Sequence, residues 1–391
     1  MRTPALSEHT TLRLGGPAPL WLPHTDPTTW PNVVHAATRH PHRPFTLGGG
    51  SNTLVDDDGP GRPVIHIATR GIHARSLGGG DVALDVAAGH PLDDLVAHTV
   101  HEGLTGIEYL GGIPGTTGAA PVQNAGAYGQ ETGTALTAVT AYDWTTRTTA
   151  RIPRSACGFG YRTSVFKQQP DRWTILSVTL RLRRSRIAAP VTYRHLATAL
   201  DVPPGARPPL AEAAAAVIGD RHARGLLLPS DGPDRRQAGS CYLNPRVTPA
   251  QAEQLRRTGA PVHRTPGGEY RTSAGWLLEH VGFTPGSRIA PGIRCSSCRT
   301  LTLTAHSGAT TAAFRQALGT MAAEVHARTG IALIREPAHV PRAGGPAHVP
   351  RAGGPADPIR DPPRPGTASG RHAPCPGPRA AVTNSGPGVP G

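Results

Sequence analysis

The sequence predicts an α+β protein, and three observations support this fold class. Residues up to about 184 contain many short, alternating strand patterns and few helical ones. A second compact unit with three amphipathic helices begins at about residue 229. The last part of the chain, residues 338–391, is rich in Pro, Gly and Arg, and we predict that it is disordered.

Residues 1–70 predict a small βαβ-like subdomain. Asp26 as N-cap and Pro27 at the first helical position indicate a helix that continues through Ala37. A glycine-rich turn follows the second strand of this unit directly. The strands predicted in this part are residues 9–16, 21–22, 44–47 and 64–67.

Residues 71–228 predict a second subdomain with a connecting region. An amphipathic helix is expected over 92–102, with Gly103 as its C-cap. The connecting region from 185 onward contains one Ala-rich helix at about 209–224. The predicted strands are residues 82–89, a strand-like segment at 106–110, a hairpin of 136–144 with 148–152, and 173–182.

Residues 229–330 predict a third domain, with helices near 248–258, 273–282 and 308–329. A strand at 331–334 is expected to end the folded part, and about 331–337 to complete the first subdomain. The tail then begins with a perfect duplication, because residues 338–346 are repeated as residues 347–355.

The formal charge is +14, carried almost entirely by arginine. The arginines are scattered and aromatic residues are sparse, so we expect no nucleic-acid binding. The positive charge is equally compatible with an anionic nucleotide substrate. No apolar run is long enough to span a membrane, and no signal-peptide core follows Met1.

Five cysteines, an odd number in a long chain without a signal, predict reduced thiols and a cytoplasmic location. Cys295 and Cys298 form a lone C-x-x-C without a partner pair, so no zinc or other metal site is expected. We expect a monomer.

Two glycine-rich loops are the strongest local signals. Residues 113–129 are dense in Gly and Ala but contain an ordered series of polar side chains, and residues 48–52 combine three glycines with Ser and Asn. Glycine lets backbone N–H groups approach a ligand, and successive N–H groups form an anion-binding concavity. The two loops therefore predict a diphosphate-bearing ligand; plain flexible turns are the alternative.

Three polar residues occupy positions at which a purely solvent-exposed role explains their presence poorly. Arg162 is flanked by aromatic residues and glycine and could hold a carboxylate, although a surface ion pair is equally compatible. Ser240 follows a glycine turn, and an ordinary turn residue is the alternative. Glu336 ends the last apolar segment, either as a solvated charge or directed into a cleft.

The order of motifs resembles that of the UDP-N-acetylenolpyruvoylglucosamine reductases, also called UDP-N-acetylmuramate dehydrogenases. The resemblance covers about residues 8–337. The motifs that carry it are His9–Gly16, Gly48–Asn52, Ile113–Gly129, Phe159–Arg162, Gly239–Ser240 with Asn244–Pro245, Ala274–Leu277 and Glu336–Pro337.

This resemblance implies a two-subdomain FAD-binding fold of the vanillyl-alcohol-oxidase type, followed by an α+β substrate-binding domain. It also implies a reaction in peptidoglycan precursor synthesis. NADPH would reduce FAD, and the enolpyruvyl group of UDP-N-acetylglucosamine enolpyruvate would then accept a hydride and a proton to give UDP-N-acetylmuramate. The second alkene carbon would carry charge delocalised into the carboxylate as an enolate.

The resemblance also implies residue roles. Arg162 and Glu336 would bracket the substrate carboxylate, with Glu336 protonated, and Ser240 would be the proton donor. Substrate contacts would come from Tyr128, Tyr193, Arg224 and Asn244; Tyr193 marks the form of the family with a tyrosine-bearing substrate loop. The residues implied for FAD are Leu47, Gly48, Gly49, Gly50, Ser51, Asn52, Ile113, Pro114, Gly115, Thr116, Thr117, Gln123, Asn124, Gly126 and Ala127.

The chain departs from the family pattern at several positions. Arg224 replaces a usual lysine, and a planar guanidinium is not equivalent to a point charge. These departures, with the repetitive tail, leave open a divergent paralogue of the same fold with another substrate or without activity. The other departures are Cys241–Tyr242, Leu243, Arg335 and Cys298–Arg299.

Overall fold

The fold was analysed in a computed structural model, which describes residues 3–265 and 267–344. The prediction of disorder for residues 345–391 lies outside the described residues.

The described chain combines short strands and helices throughout, as the α+β prediction requires. The strands are Trp21–His24 (β1), Phe45–Leu47 (β2), Thr53–Val55 (β3), Val64–Ile67 (β4), Ile72–Gly78 (β5), Asp81–Ala87 (β6), Leu104–Thr105 (β7), Gly126–Ala127 (β8), Gln130–Glu131 (β9), Leu136–Asp143 (β10), Thr148–Pro153 (β11), Trp173–Arg184 (β12), Gln237–Ser240 (β13), Arg246–Val247 (β14), Val262–Arg264 (β15), Tyr270–Thr272 (β16), Arg288–Ala290 (β17), Ile293–Cys295 (β18), Thr302–Ala305 (β19) and Ala338–Val340 (β20). The α-helices are Trp30–Thr38 (α1), Leu92–His101 (α2), Thr132–Ala135 (α3), Val165–Gln168 (α4), Arg194–Ala199 (α5), Leu210–Ala223 (α6), Pro249–Arg257 (α7), Ala274–His280 (α8) and Thr311–Thr329 (α9).

The first sheet confirms the predicted βαβ unit. Strands β1 and β2 both pair in parallel with β4, and α1 connects β1 to β2. The Asp26 side chain accepts a hydrogen bond from the Thr28 backbone N–H at 2.8 Å, which starts a 3-10 turn at Pro27 that leads into α1. The first glycine-rich loop therefore begins at the carboxyl end of a parallel strand.

The second sheet is antiparallel, with the strand order β11-β10-β12-β6-β5 and with β7 paired to β12. It contains the predicted hairpin, β10 and β11. The predicted strand-like segment at 106–110 is wrong, because Glu108–Leu110 form a 3-10 helix. The buried Glu108 carboxylate accepts hydrogen bonds from Thr105 Oγ1 and the Gly106 N–H, which folds this segment into a tight turn.

The third unit contains the sheet β13-β19-β18-β17, with α8 and α9 contributing to its apolar core. The three predicted helices are confirmed as α7, α8 and α9. The Ser273 side chain caps α8 by accepting from the Trp276 N–H at 3.1 Å. Leu12, Leu14 and Leu54 join this core, so the N-terminal segment packs directly on the third unit.

Two predicted strands are wrong, for local reasons. Residues 9–16 form turns, since Thr10 Oγ1 donates to the Leu14 carbonyl at 2.9 Å and Arg13 has a φ of 55°. Residues 331–334 form no strand, and the element that closes the first subdomain lies later.

That element is β20, which contradicts the predicted disorder at the start of the tail. Residues 338–340 pair in parallel with β3, and Val340 is buried among residues of the first subdomain. The prediction of reduced thiols is confirmed at Cys157, Cys241 and Cys295 but is wrong at Cys298, which is disulfide-bonded. None of the helices in the described part of the chain is long and apolar enough to cross a membrane.

Candidate active site

The two glycine-rich loops lie against each other. A Cβ atom on Gly48 would stand 2.6 Å from Thr116 Oγ1, and one on Gly49 would stand 2.9 Å from the Gly115 Cα. Real Cβ atoms do not approach backbone atoms that closely, so only glycine permits the contact at Gly49. Gly50 adopts a φ of 63°, which also favours glycine.

Hydrogen bonds fix the two loops to one another. Ser51 Oγ donates to the Pro114 carbonyl at 3.1 Å, and Asn52 Nδ2 donates to Gln123 Oε1 at 2.7 Å. Asn124, at the end of a 3-10 turn, has a φ of 45° and uses its amide to bind Glu131 Oε2 at 2.7 Å. The loops thus form one preorganised wall, as a ligand cradle requires.

A cavity of about 250 Å³ lies beside this wall and contains the three sequence-predicted catalytic residues, Arg162, Ser240 and Glu336. Six predicted cofactor residues line it: Ser51, Asn52, Ile113, Pro114, Gln123 and Gly126. The other predicted cofactor residues, Leu47, Gly48, Gly49, Gly50, Gly115, Thr116, Thr117, Asn124 and Ala127, do not line it and lie in or next to the two loops.

Arg162 is held firmly in this cavity. Its Nη1 and Nη2 atoms donate to the carbonyls of Asn124 (3.2 Å) and Gly126 (2.6 Å) in the second glycine-rich loop. Its Nε atom lies 3.5 Å from Glu336 Oε1. Its side chain is 21% exposed, and its φ of 53° is unusual for a non-glycine residue. A solvent-exposed ion pair is therefore the wrong description of Arg162.

The Glu336 carboxyl is 15% exposed and has no solvated surface position. Burial raises its pKa, although the nearby cations of Arg162, Lys167 and Arg299 act to lower it. Desolvation outweighs the charges, so the protonated form is favoured relative to a free glutamate. A neutral carboxyl here can donate a hydrogen bond to an oxyanion.

Ser240 lies at the end of β13, next to an irregularity in its pairing with β19. Gly239 has a φ of 70° there, and such a bulge changes the direction of the side chain that follows. The next residue, Cys241, accepts a hydrogen bond from the Glu336 N–H at 2.9 Å. Ser240 and Glu336 are therefore held in neighbouring backbone segments that face the same cavity.

Tyr128 and Tyr193 lie outside the cavity lining, in an aromatic cluster with His195. Tyr128 is buried, and its hydroxyl donates to Asp220 Oδ2 at 2.8 Å. Burial raises the pKa of Tyr128, and the bond to Asp220 raises it further. The centroid of the Tyr193 ring is 6.0 Å from that of the Tyr128 ring, and Tyr193 is 46% exposed.

Arg224 and Asn244 are also outside the cavity lining. Arg224 Nη1 lies 3.2 Å from Asp220 Oδ2 and 2.9 Å from His195 Nε2, and its side chain is 47% exposed. Asn244 Oδ1 accepts a hydrogen bond from the Ala274 N–H at 3.1 Å, at the start of α8. Arg224 thus belongs to the tyrosine cluster, whereas Asn244 is tied to the third unit.

Comparisons with known proteins identify the family to which the chain belongs. Residues 231–340 match a family described as UDP-N-acetylenolpyruvoylglucosamine reductase, C-terminal domain, and residues 25–148 match an FAD binding domain. A UDP-N-acetylenolpyruvoylglucosamine reductase of Salinispora arenicola is 42% identical over 345 residues, which cover 86% of this chain and 94% of the relative. This chain belongs to the UDP-N-acetylenolpyruvoylglucosamine reductase family.

Other members of the reductase family give the same result. A reductase of Streptomyces avermitilis is 39% identical, with 86% of this chain and 93% of the relative covered. The crystal structure of the Thermus caldophilus reductase matches with a TM-score of 0.58 at 25% identity, over 86% of this chain and 97% of that chain. The chain is an FAD-dependent oxidoreductase.

The residues of the reductase fold fit FAD. The glycine contacts hold the two loops together, and glycines carry no side chain that would keep a diphosphate away from the remaining backbone N–H groups of the loops. Asn52 and Gln123 supply amide groups beside it, in the cavity wall. Within residues 3–265 and 267–344, no group of three or more His, Cys, Asp or Glu side chains is arranged to hold a metal ion.

Sequence reasoning missed two arginines that line the reductase cavity, Arg221 and Arg299. Arg221 is buried on α6, and its Nη2 atom donates to the carbonyls of Gly112 and Leu226, both at 3.0 Å. Burial lowers the pKa of Arg299 to about 10. Glu212 and Asp220 lie on the same Ala-rich helix, so the sequence contains no signal that singles out Arg221.

Proposed function

We propose that this chain is the NADPH-dependent reductase that converts UDP-N-acetylglucosamine enolpyruvate to UDP-N-acetylmuramate. The observation that carries the proposal is the convergence of Arg162, Ser240 and Glu336 on one cavity beside the two glycine-rich loops. FAD, when bound by those loops, supplies the hydride for the methylene carbon of the enolpyruvyl group, and NADPH is its reductant.

The protein's own residues supply binding, charge stabilisation and a proton. Arg162 binds the substrate carboxylate and stabilises the negative charge that develops on it. The protonated Glu336 donates a hydrogen bond to the same group. Ser240 donates the proton that the second alkene carbon needs, so hydride and proton together turn the carbon–carbon double bond into the lactyl ether.

The tyrosine cluster and the third unit would hold the nucleotide. Tyr193 has exposed ring surface, and Arg224 offers a cation beside it for a diphosphate. Tyr128 supports Tyr193 by edge-to-face packing and contacts the nucleotide from the end of the second loop. The amide of Asn244 completes the nucleotide contacts.

The test is NADPH oxidation by the purified yellow protein with and without the enolpyruvyl nucleotide. The proposal predicts turnover that depends on the nucleotide and yields UDP-N-acetylmuramate. NADPH oxidation that the nucleotide does not stimulate would instead favour a reductase with another substrate. Bound FAD with no hydride transfer at any nucleotide concentration would identify an inactive paralogue.

We also propose that the enzyme acts as a cytoplasmic monomer and binds no nucleic acid. Light scattering of the full chain should give the mass of one chain, and a mass of two or more would contradict this. Retention on DNA at physiological salt that persists after removal of residues 345–391 would contradict the absence of nucleic-acid binding.

A further inference from the structure

The start of the tail is bound in a groove beside β3. Strand β20, residues 338–340, pairs with Thr53–Val55, and the Ala338 N–H donates to the Asn52 carbonyl at 2.9 Å. The Val340 side chain is 4% exposed and packs in a small apolar cluster of the first subdomain. This groove is therefore both a strand edge and an apolar pocket.

Asp56 binds the polar part of the same segment. His339 Nε2 lies 2.7 Å from Asp56 Oδ1, and the Arg342 N–H donates to Asp56 Oδ2 at 3.1 Å. The Asp56 N–H in turn donates to the Val340 carbonyl at 3.3 Å. Further along, Arg342 Nη1 donates to the Asp58 carbonyl, and the Ala343 N–H donates to the Pro60 carbonyl.

On the side of the tail, every residue that makes these contacts belongs to the first copy of the nine-residue repeat, AHVPRAGGP. The second copy follows without a gap and contains the same residue types in the same order. The contacting residues Ala338, His339, Val340, Arg342 and Ala343 recur as Ala347, His348, Val349, Arg351 and Ala352.

We propose that the groove beside β3 is a docking site for either copy of the repeat, and that the second copy binds within the same chain when the first is displaced. The groove recognises an alanine–histidine–valine strand followed by an arginine, which both copies provide. Docking of the second copy leaves residues 338–346 as a loop between Pro337 and Ala347. Ala347 would then occupy the place of Ala338, next to Pro337. The loop therefore starts and ends at nearly the same point, and nine residues are long enough to close it.

Because the two copies have the same sequence, their docking free energies differ by the entropy of closing that loop. The probability of closing a loop falls as about the 3/2 power of its length, because the entropic cost rises as (3/2)RT ln n, so nine residues disfavour the second copy by about 30-fold. The first copy consequently occupies the groove in most molecules, and the second is a reserve. A copy on another molecule has no such tether and competes poorly at low protein concentration.

The docked copy also affects the active site, because Glu336 precedes it by two residues. Asn52 Nδ2 donates to the Glu336 carbonyl at 3.4 Å, while the Asn52 carbonyl accepts from Ala338. Docking thus fixes the segment that carries Glu336 against the first glycine-rich loop. With the second copy docked, Ala347 takes the place of Ala338 at Asn52.

Deleting either copy produces the same polypeptide, so point variants are required. Val340→Asp blocks the first copy, the matched Val349→Asp blocks only the second, and the double variant blocks both. Hydrogen–deuterium exchange of the full chain reports docking at the Asp56 amide and at residues 347–349. Val349→Asp should match the parent chain, and Val340→Asp should lose about 30-fold of the Asp56 protection while residues 347–349 gain protection.

The double variant should lose the Asp56 protection entirely. The proposal is overturned if Val340→Asp alone behaves like the double variant, without protection at residues 347–349. Unfolding of Val340→Asp by itself overturns it as well, since a spare copy would prevent that outcome. Protection in Val340→Asp that rises with protein concentration, together with a dimer in light scattering, would show docking between molecules and contradict docking within one chain.

Discussion

Replacing Glu336 with glutamine tests whether this carboxyl is neutral in the folded protein. The side chain is 15% exposed, and burial raises its pKa from the usual 4.5. An ionised Glu336 at 3.5 Å from Arg162 would interact with it by about 5 kcal/mol at an effective dielectric constant of ~20. Glutamine would lose that attraction. A neutral Glu336 instead makes glutamine a close substitute, with an expected change of about 1 kcal/mol or less in the free energy of unfolding.

The pH dependence of stability shows whether the pKa of Glu336 is raised or lowered by folding. A carboxyl whose folded pKa is raised binds more protons in the folded than in the unfolded state, between about pH 4.5 and its folded pKa. The parent chain should therefore lose stability relative to Glu336→Gln as the pH rises through that range. Each unit by which the pKa is raised contributes about 1.4 kcal/mol.

Urea denaturation of both proteins at pH 5 and pH 8 measures this difference. Glu253→Gln is a suitable control, because Glu253 is mostly exposed and its loss removes the same formal charge. If the difference in stability between the parent chain and Glu336→Gln is the same at pH 5 and pH 8, the folded pKa is not raised and Glu336 is an ionised partner of Arg162 over that range. The proposed hydrogen bond from Glu336 to the enolate would then be refuted.

Three further predictions concern the loops and the tyrosine cluster. Gly49→Ala places a Cβ against the backbone of the second glycine-rich loop and should weaken FAD binding by at least about tenfold in a flavin titration. The control Gly219→Ala meets open space and should bind FAD like the parent chain. Equal affinities of the two variants would contradict FAD binding by the two loops. Tyr128→Phe removes a buried hydrogen bond and should lower the free energy of unfolding by about 1–2 kcal/mol, so an unchanged melting temperature would argue against that bond. The pKa of His195 is lowered by burial and by Arg224, so the stability of the parent chain should fall as the pH drops from about 6.5 through the folded pKa. His195→Gln should flatten this dependence in thermal melts, and an equally steep curve would exclude His195 as its source.

The sequence predicted those parts of the structure that depend on local residue types. Glycines that must accept a neighbouring backbone, an aspartate that caps a helix and an alternating hairpin act over a few residues, and the structure contains all three. The convergence of Arg162, Ser240 and Glu336 could be expected only from the resemblance to a family.

The errors arose where distant or side-chain contacts decide the structure. The segment at 106–110 folds around the buried carboxylate of Glu108, which strand propensity does not register. Strand β20 forms because β3 and Asp56, far away in the sequence, provide its partner. Arg221 and Arg299 were missed because the burial of a charge is a property of the tertiary fold.

The most direct test of the account is the kinetics of the two flavin half-reactions in Ser240→Ala, measured by stopped-flow absorbance. Ser240 lines the cavity with Arg162 and Glu336 and is assigned only the proton transfer. Reduction of the flavin by NADPH should therefore proceed at the parent rate, while reoxidation by the enolpyruvyl nucleotide should slow by about 10²–10⁴-fold. Reoxidation at the parent rate would remove Ser240 from the mechanism.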